Sequence, residues 1–208
     1  MKSNRFEKIV MNNPIRAAIQ RHYAAPILAK LSRDAAVNTA LEIGCGNGVG
    51  VEIILDQFRA VRVDAFDVDD AMIALARRRL ARRGSSVRLW KGSATEIAAE
   101  DGTYDAVFAF GVLHHLPDWR TGLAEVVRVL RPHGVFFAEE SYARFITHPL
   151  WRRLMDHPQD DRFEHDELRA SMKGAGLVEL GEKLALGGGS GWIVGRKAAT
   201  ASASAGRS

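Results

Sequence analysis

A short apolar segment, Thr39-Ala40-Leu41-Glu42-Ile43, runs directly into Gly44-Cys45-Gly46-Asn47-Gly48 and then into an apolar stretch that begins at Val49. The first segment has the length and composition of a buried strand and the last has those of a helix, so the glycines occupy a sharp turn at a strand's carboxyl end. Glycine lets the backbone turn where a β-carbon would clash, and it lets a ligand come close; the first turn of the following helix offers unpaired N–H groups. A ligand-sized crevice beside that turn is the expected consequence.

The surrounding residues set the charge of the ligand. A dinucleotide fingerprint, G-x-G-x-x-G, requires a small residue three positions beyond Gly46, where this chain has Val49. What stands here is E-x-G-x-G-x-G, with Glu42 two residues before Gly44. A carboxylate there repels a pyrophosphate and favours a cationic ligand. About twenty residues on, the apolar segment Val61-Arg62-Val63-Asp64-Ala65-Phe66 ends in Asp67-Val68-Asp69-Asp70, and an acid at such a strand end can accept both hydroxyls of a ribose. Asp67 is placed for that role, because Asp69 and Asp70 stand where they would cap the next helix.

Apolar runs and amphipathic segments then alternate, which is the pattern of a parallel sheet covered by helices. Strands are expected near 39–43, 61–67, 86–90, 104–110 and 134–140, and helices near 49–58, 70–83, 93–99 and 120–130, with Pro132 and Gly134 marking the turn before the fifth strand. Residues 1–35 read as a helical extension broken by Pro14 and Pro26, packed on a domain covering 36–197. A polar, aromatic-bearing insertion over 141–165 reads as a lid. Beyond it come a helix near 165–175 and two strand-like stretches, near 177–186 and 191–196, joined by a glycine-rich link as an antiparallel hairpin. The Ala/Ser-rich tail 198–208 reads as disordered.

The whole has the size of one core, since 208 residues are few for two enzyme domains, and its 47% hydrophobic content is that of a globular protein. A net charge of +4 names no partner, and the densest basic cluster, Arg77, Arg78, Arg79, Arg82 and Arg83, falls on a helix flank expected to face solvent away from the strand ends, so a nucleic-acid partner is not indicated. The single cysteine, Cys45, allows no disulfide within the chain; with no secretory leader at Met1 and no apolar run of about 20 residues, the expected location is the cytoplasm. The basic, apolar-striped N-terminal helices could touch a membrane surface weakly.

With these features in hand, the sequence resembles the class I S-adenosylmethionine-dependent methyltransferases of the small-molecule type. The resemblance runs over about residues 36–197 and is carried by Leu41 to Gly48, by Ala65-Phe66-Asp67-Val68-Asp69, by Tyr104 to Leu116 and by Val129-Leu130-Arg131-Pro132-His133-Gly134. It implies a Rossmann-like α/β fold: a seven-stranded, mostly parallel sheet with an antiparallel last strand and helices on both faces. It also implies S-adenosyl-L-methionine as cofactor, leaving as S-adenosyl-L-homocysteine. Gly44, Cys45, Gly46 and Gly48 would line its methionine and ribose, Glu42 would face its amino group and Asp67 its ribose hydroxyls. Val68 would lie on the adenine, Ser93 and Ala94 at its edge, and Phe110 at the end of the fourth strand. The family's common pattern has an acid where Ser93 or Ala94 stands, so the adenine contact here falls to a hydroxyl or a backbone N–H.

The methyl group on a sulfonium is already electrophilic, so the enzyme must chiefly align the acceptor in line and exclude water. A hydroxyl or protonated amine also needs a base. His114 and His115, after the fourth strand, and Glu139, at the end of the fifth, are the candidates; of Glu139 and Glu140, strand alternation turns only one into the cleft. Tyr142, Phe145, Trp151, Phe163 and His165 would roof an acceptor pocket suited to apolar or planar molecules. His157 and His165 among Asp156, Asp160, Asp161 and Glu164 show no metal-ligand spacing, and no metal is expected. The reading is a methyltransferase acting on a small-molecule or lipid-like acceptor. A nicotinamide-dependent oxidoreductase and a non-catalytic cofactor-binding module are the alternatives, and the oligomeric state is not legible.

Overall fold

The computed structural model describes residues 13–33, 35–143 and 162–199. The chain opens with α1 (Pro14–Ile19), a π-helical turn (Gln20–Ala24) and α2 (Ala25–Leu31), which form one nearly continuous helical run. Asn13 caps it, its side chain accepting from the Ile15 N–H at 2.8 Å, and Pro14 follows where a missing N–H costs nothing. Pro26 lacks the N–H that would bond back to the previous turn; the wider π turn before it takes up the mismatch and spares the helix a break.

The sheet follows as β1 (Thr39–Ile43), α3 (Val49–Gln57), β2 (Arg62–Asp67), α4 (Asp70–Leu80), β3 (Val87–Lys91), β4 (Tyr104–Phe110), α5 (Trp119–Val129), β5 (Leu130–Ser141), α6 (His165–Gly174), β6 (Leu177–Ala185) and β7 (Ser190–Lys197). Its spatial order is β3-β2-β1-β4-β5-β7-β6, with β7 antiparallel to both of its neighbours. This is the Rossmann-like, mostly parallel α/β sheet with a reversed last strand that the sequence implies. The order changes direction between β1 and β4, and ligands of such sheets bind at the carboxyl ends of the strands at that switch.

Strand alternation divides the core into two layers. Phe108 and Phe137 point to one face, where Leu28 of α2, Val51 and Ile54 of α3 and Ile73 of α4 cover them. Val107 and Phe136 point to the other, under Trp119, Leu123 and Val126 of α5 and Leu168 of α6. Every residue of β4 is buried, as expected for the central strand of a sheet covered on both sides. No helix among the described residues is long and apolar enough to cross a membrane.

Three expectations need correction. No helix forms over 93–99, where only a bridge between Ser93 and Glu96 is found. Side chains capture the backbone groups that a helix would use. The Ser93 hydroxyl accepts from the Thr95 N–H, Glu125 accepts from the Ile97 N–H at 2.8 Å, and Arg128 donates to the carbonyls of Ile97 and Ala99. The helix expected over 70–83 is α-helical only to Leu80 and tightens into a 3-10 segment (Ala81–Ser86). The fifth strand begins at Leu130, with the Pro132 turn absorbed as an irregularity between the Tyr104–Leu130 and Ala106–Val135 pairs. Most of the insertion read as a lid, with Phe145, Trp151, His157 and the acids 156, 160 and 161, lies outside the described residues, as does the tail from 200 onward.

Candidate cofactor site and active centre

A cavity of about 330 Å³ opens at the switch point, of the size that holds small-molecule ligands. Its floor is the glycine turn. Gly44, Gly46 and Gly48 have φ of +62°, +52° and +87°, left-handed values that glycine adopts without strain. Nothing lies within 4 Å of a β-carbon built on Gly46, so that position faces open space. A β-carbon on Gly48 would fall 2.9 Å from Leu80 Cδ1 and 3.3 Å from Ala76. Gly48 is not among the lining residues; its bareness lets α4 pack on the turn.

Glu42, at the end of β1, is only 2% exposed, and its Oε2 has no hydrogen-bond partner among the described residues. Burial raises its pKa well above the ordinary value, the charge of Asp67 adds to the rise, and the Val51 backbone N–H opposes it. Room for this carboxylate comes from Gly50, since a β-carbon there would lie 1.9 Å from Glu42 Oε1 and 2.8 Å from the Phe110 ring. A buried carboxylate with an unfilled oxygen aimed at a cavity is an incomplete site for a cation.

Asp67 closes the opposite side at the end of β2. Its Oδ2 accepts from the Gly46 N–H and its Oδ1 from the Asp69 N–H, both at 2.9 Å, which leaves each oxygen a further lone pair. Burial raises its pKa, and the N–H groups of Asp69, Gly46 and Val68 pull it back. Asp69 instead caps α4, accepting from the Ala71 N–H. Cys45 and Val68 also line the cavity, and burial raises the Cys45 thiol's pKa. Ala94 is on the wall; Ser93 is not, its hydroxyl being turned to Thr95.

The proposed chemical residues separate. His115 lines the cavity. His114 does not: its Nδ1 lies 2.6 Å from Glu140 Oε2. Glu140 also accepts from the backbone N–H groups of Val112, Leu113 and His114, which fixes the 3-10 turn (Leu113–His115) that carries both imidazoles. Burial pushes Glu140 up to about 8 against those N–H groups. Glu139 is pushed up to about 7, chiefly by burial, and does not line the cavity. Away from the cavity, Tyr142 and His165 pair at 2.9 Å, and His165 reaches Glu182 at 2.6 Å through its other nitrogen. These residues bind the end of β5 to α6 and β6.

Several wall residues escaped the sequence reading. Asn13, Pro14, Arg16, Ala17 and Gln20 bring the N-terminal helical run over the cavity. Arg79, expected on a solvent flank, reaches back to the turn, where its Nε donates to the Asn47 carbonyl at 3.0 Å.

Fold and site together define a Rossmann-like protein whose cavity suits a ribose-bearing, cationic cofactor. The family profile described as "Methyltransferase domain" matches residues 40–134. A Mycolicibacterium smegmatis protein described as "Probable S-adenosylmethionine-dependent methyltransferase" is 33% identical over 169 residues, covering 74% of this chain and 63% of the relative. The "Fatty-acid O-methyltransferase" of the same organism is 33% identical over 119 residues, covering 57% of this chain and 42% of the relative. Among solved structures, a SAM-dependent methyltransferase from Aquifex aeolicus superposes with a TM-score of 0.71 at 18% identity, over 94% of this chain and 99% of that one, a likeness of fold. The chain thus carries a methyltransferase domain over residues 40–134 and is similar to S-adenosylmethionine-dependent methyltransferases. It spans less than two thirds of the length of the two curated relatives.

Proposed function

We propose that the chain transfers a methyl group from S-adenosyl-L-methionine to a small-molecule or lipid-like acceptor by in-line displacement. The observation that carries this reading is the pairing, in one cavity, of Glu42, buried with an unfilled oxygen, and Asp67, held by two N–H groups with lone pairs to spare. When bound, the cofactor supplies a methyl group activated by its positive sulfur. Glu42 would face the ammonium of the methionine end and Asp67 the ribose hydroxyls, with Val68 and Ala94 beside the adenine and Gly46 leaving room between. Phe110 and the 3-10 turn would form the wall on the methyl side.

At that wall His115 would take a proton from a hydroxyl acceptor, while a carboxylate acceptor would need no base. His114 and Glu140 act through His115 as positioning residues. The relative named for fatty acids supports an acceptor with an apolar chain. Ile15, Ile19 and Tyr23 are exposed on the helical run above the cavity, and residues 14–33 contain no acid, which supports a weak peripheral contact with membranes. The lone cysteine accords with a cytoplasmic location.

The test is incubation with methyl-labelled cofactor and a panel of fatty acids, hydroxylated lipids and small phenols, with the products identified by mass. Labelled methyl ester or ether, lost in His115→Ala for hydroxyl acceptors alone, is expected. Cofactor binding with no transfer to any member of the panel would instead support a non-catalytic module.

A further inference from the structure

At the opposite end of the sheet the strands begin around a second cavity, of about 360 Å³, within the range that holds small-molecule ligands. Thr39, Arg62, Asp64, Arg88 and Tyr104 line it from the starts of β1 to β4, and the irregular segment 98–100 forms the far wall. Arg128 of α5 fixes that wall by donating to the carbonyls of Ile97 and Ala99. Asp64 is the centre of the cluster. It is 4% exposed and accepts from the Tyr104 hydroxyl at 3.0 Å, from Arg62 Nε at 3.0 Å and from Arg88 Nη2 at 2.8 Å. Burial and the charge of Asp64 push the Tyr104 hydroxyl up to about 12, so it stays a proton donor.

Arg62 Nη2 also reaches Asp64 Oδ2, at 3.4 Å, the oxygen that Arg88 meets, and this sets the two guanidiniums side by side. One carboxylate therefore faces two cations and neutralises one. Among the described residues neither arginine reaches a second carboxylate. Glu100 lines the cavity too, but it is exposed, where water and salt screen its charge. Arg88 is held further by the Trp90 ring, whose centroid lies 4.8 Å from its guanidinium carbon. Both arginine side chains stay half exposed and keep N–H groups that Asp64 does not use. Donors fixed in advance lose little freedom when a ligand arrives.

We propose that this second cavity binds a phosphate monoester, with Arg62 and Arg88 as its anion-binding groups. A monoester is strongly anionic near neutrality and offers three oxygens, enough for both guanidinium forks, whereas a carboxylate fills one. The rest of the cavity takes the organic part of the ligand. Asp64 and Asp67 stand three residues apart on β2, so they point to opposite faces of the sheet and lie about 10 Å apart along the strand. The phosphate site and the cofactor cavity can therefore be filled together.

Calorimetric titration of the full chain with glycerol 3-phosphate, at fixed ionic strength and with glycerol as the uncharged control, provides the test. One saturable site is expected for the phosphate ester, displaced by inorganic phosphate, and none for glycerol. Loss of a charge-assisted contact predicts binding weaker on the order of ten- to a hundredfold in Arg62→Gln and in Arg88→Gln. Each of these variants leaves Asp64 one arginine, and thermal unfolding without ligand shows whether it is folded. Arg62→Lys and Arg88→Lys, which keep the charge but not the fork, should weaken binding less. Arg79→Gln, at the cofactor cavity, should bind as the wild type does. A wild-type chain that does not bind glycerol 3-phosphate would overturn the proposal. So would undiminished binding in folded Arg62→Gln and Arg88→Gln, or a loss confined to Arg79→Gln.

Discussion

Replacing Gly50 by alanine tests the link between the glycine turn and the buried acid. The new methyl would lie 1.9 Å from Glu42 Oε1, 2.6 Å from its Cδ and 2.8 Å from Phe110 Cδ2, so the carboxylate must swing away. Glu42 is 2% exposed, and the space open to its carboxylate is the cavity that it lines. Overpacking of this kind costs about 1–3 kcal/mol, and alanine returns up to about 1 kcal/mol in helix propensity, which leaves a net loss of up to about 2 kcal/mol when that return is full. For a chain of this size that lowers the melting temperature by up to about 8 °C. The effect on binding is larger, because a displaced carboxylate no longer meets the ammonium; a lost charge-assisted contact weakens S-adenosylmethionine binding about ten- to a hundredfold. The assay is calorimetric titration beside thermal unfolding, run on Gly50→Ala, Glu42→Ala and the double variant. Alanine at position 50 should be far better tolerated once Glu42 is gone, giving a coupling on the order of 1–2 kcal/mol. A Gly50→Ala protein that binds the cofactor as the wild type does would refute the argument.

Three further expectations follow from the same geometry. Binding of a cationic ligand should draw the raised pKa of Glu42 back toward the ordinary carboxylate range and so release protons; titrations in buffers of different ionisation enthalpy would show this, and buffer-independent heats would contradict it. Glu139, at about 7 against an ordinary 4.5, holds its proton more tightly folded than unfolded, so its contribution is full below pH 4.5 and is lost as pH rises through 7. The wild-type melting temperature should therefore fall between pH 5 and 8, and that of Glu139→Gln should fall less; parallel curves would sink this reading. Tyr142→Phe leaves His165 Nδ1 without its partner and should cost about 1–2 kcal/mol in denaturant unfolding, while an unchanged midpoint would show that the pair contributes nothing.

The sheet was legible because its central strands are continuous apolar runs; Tyr104–Phe110 and Thr39–Ile43 begin and end where the run does. Asp69 was separable from Asp67 because a cap stands directly before its helix, and the side chain indeed accepts from Ala71. The segment 93–99 has helix-compatible residues, but its backbone partners are Glu125 and Arg128 on α5, and no local pattern announces so distant a competitor. Gly50 carries the same limitation. In the sequence it is one helix residue among apolar neighbours, and its purpose appears only when β1 places Glu42 beside it. Arg16 was invisible for a third reason: it lies 94 residues from Phe110, whose carbonyl it meets, on a segment that joins the site only after the whole sheet has formed.

The most direct test of the central claim is titration of the purified chain with S-adenosylmethionine, beside Asp67→Ala and with nicotinamide dinucleotides as controls. The account predicts one saturable site per chain, markedly weakened in Asp67→Ala, and no binding of the dinucleotides. Absence of binding by the wild-type chain, or undiminished binding by Asp67→Ala, would contradict it.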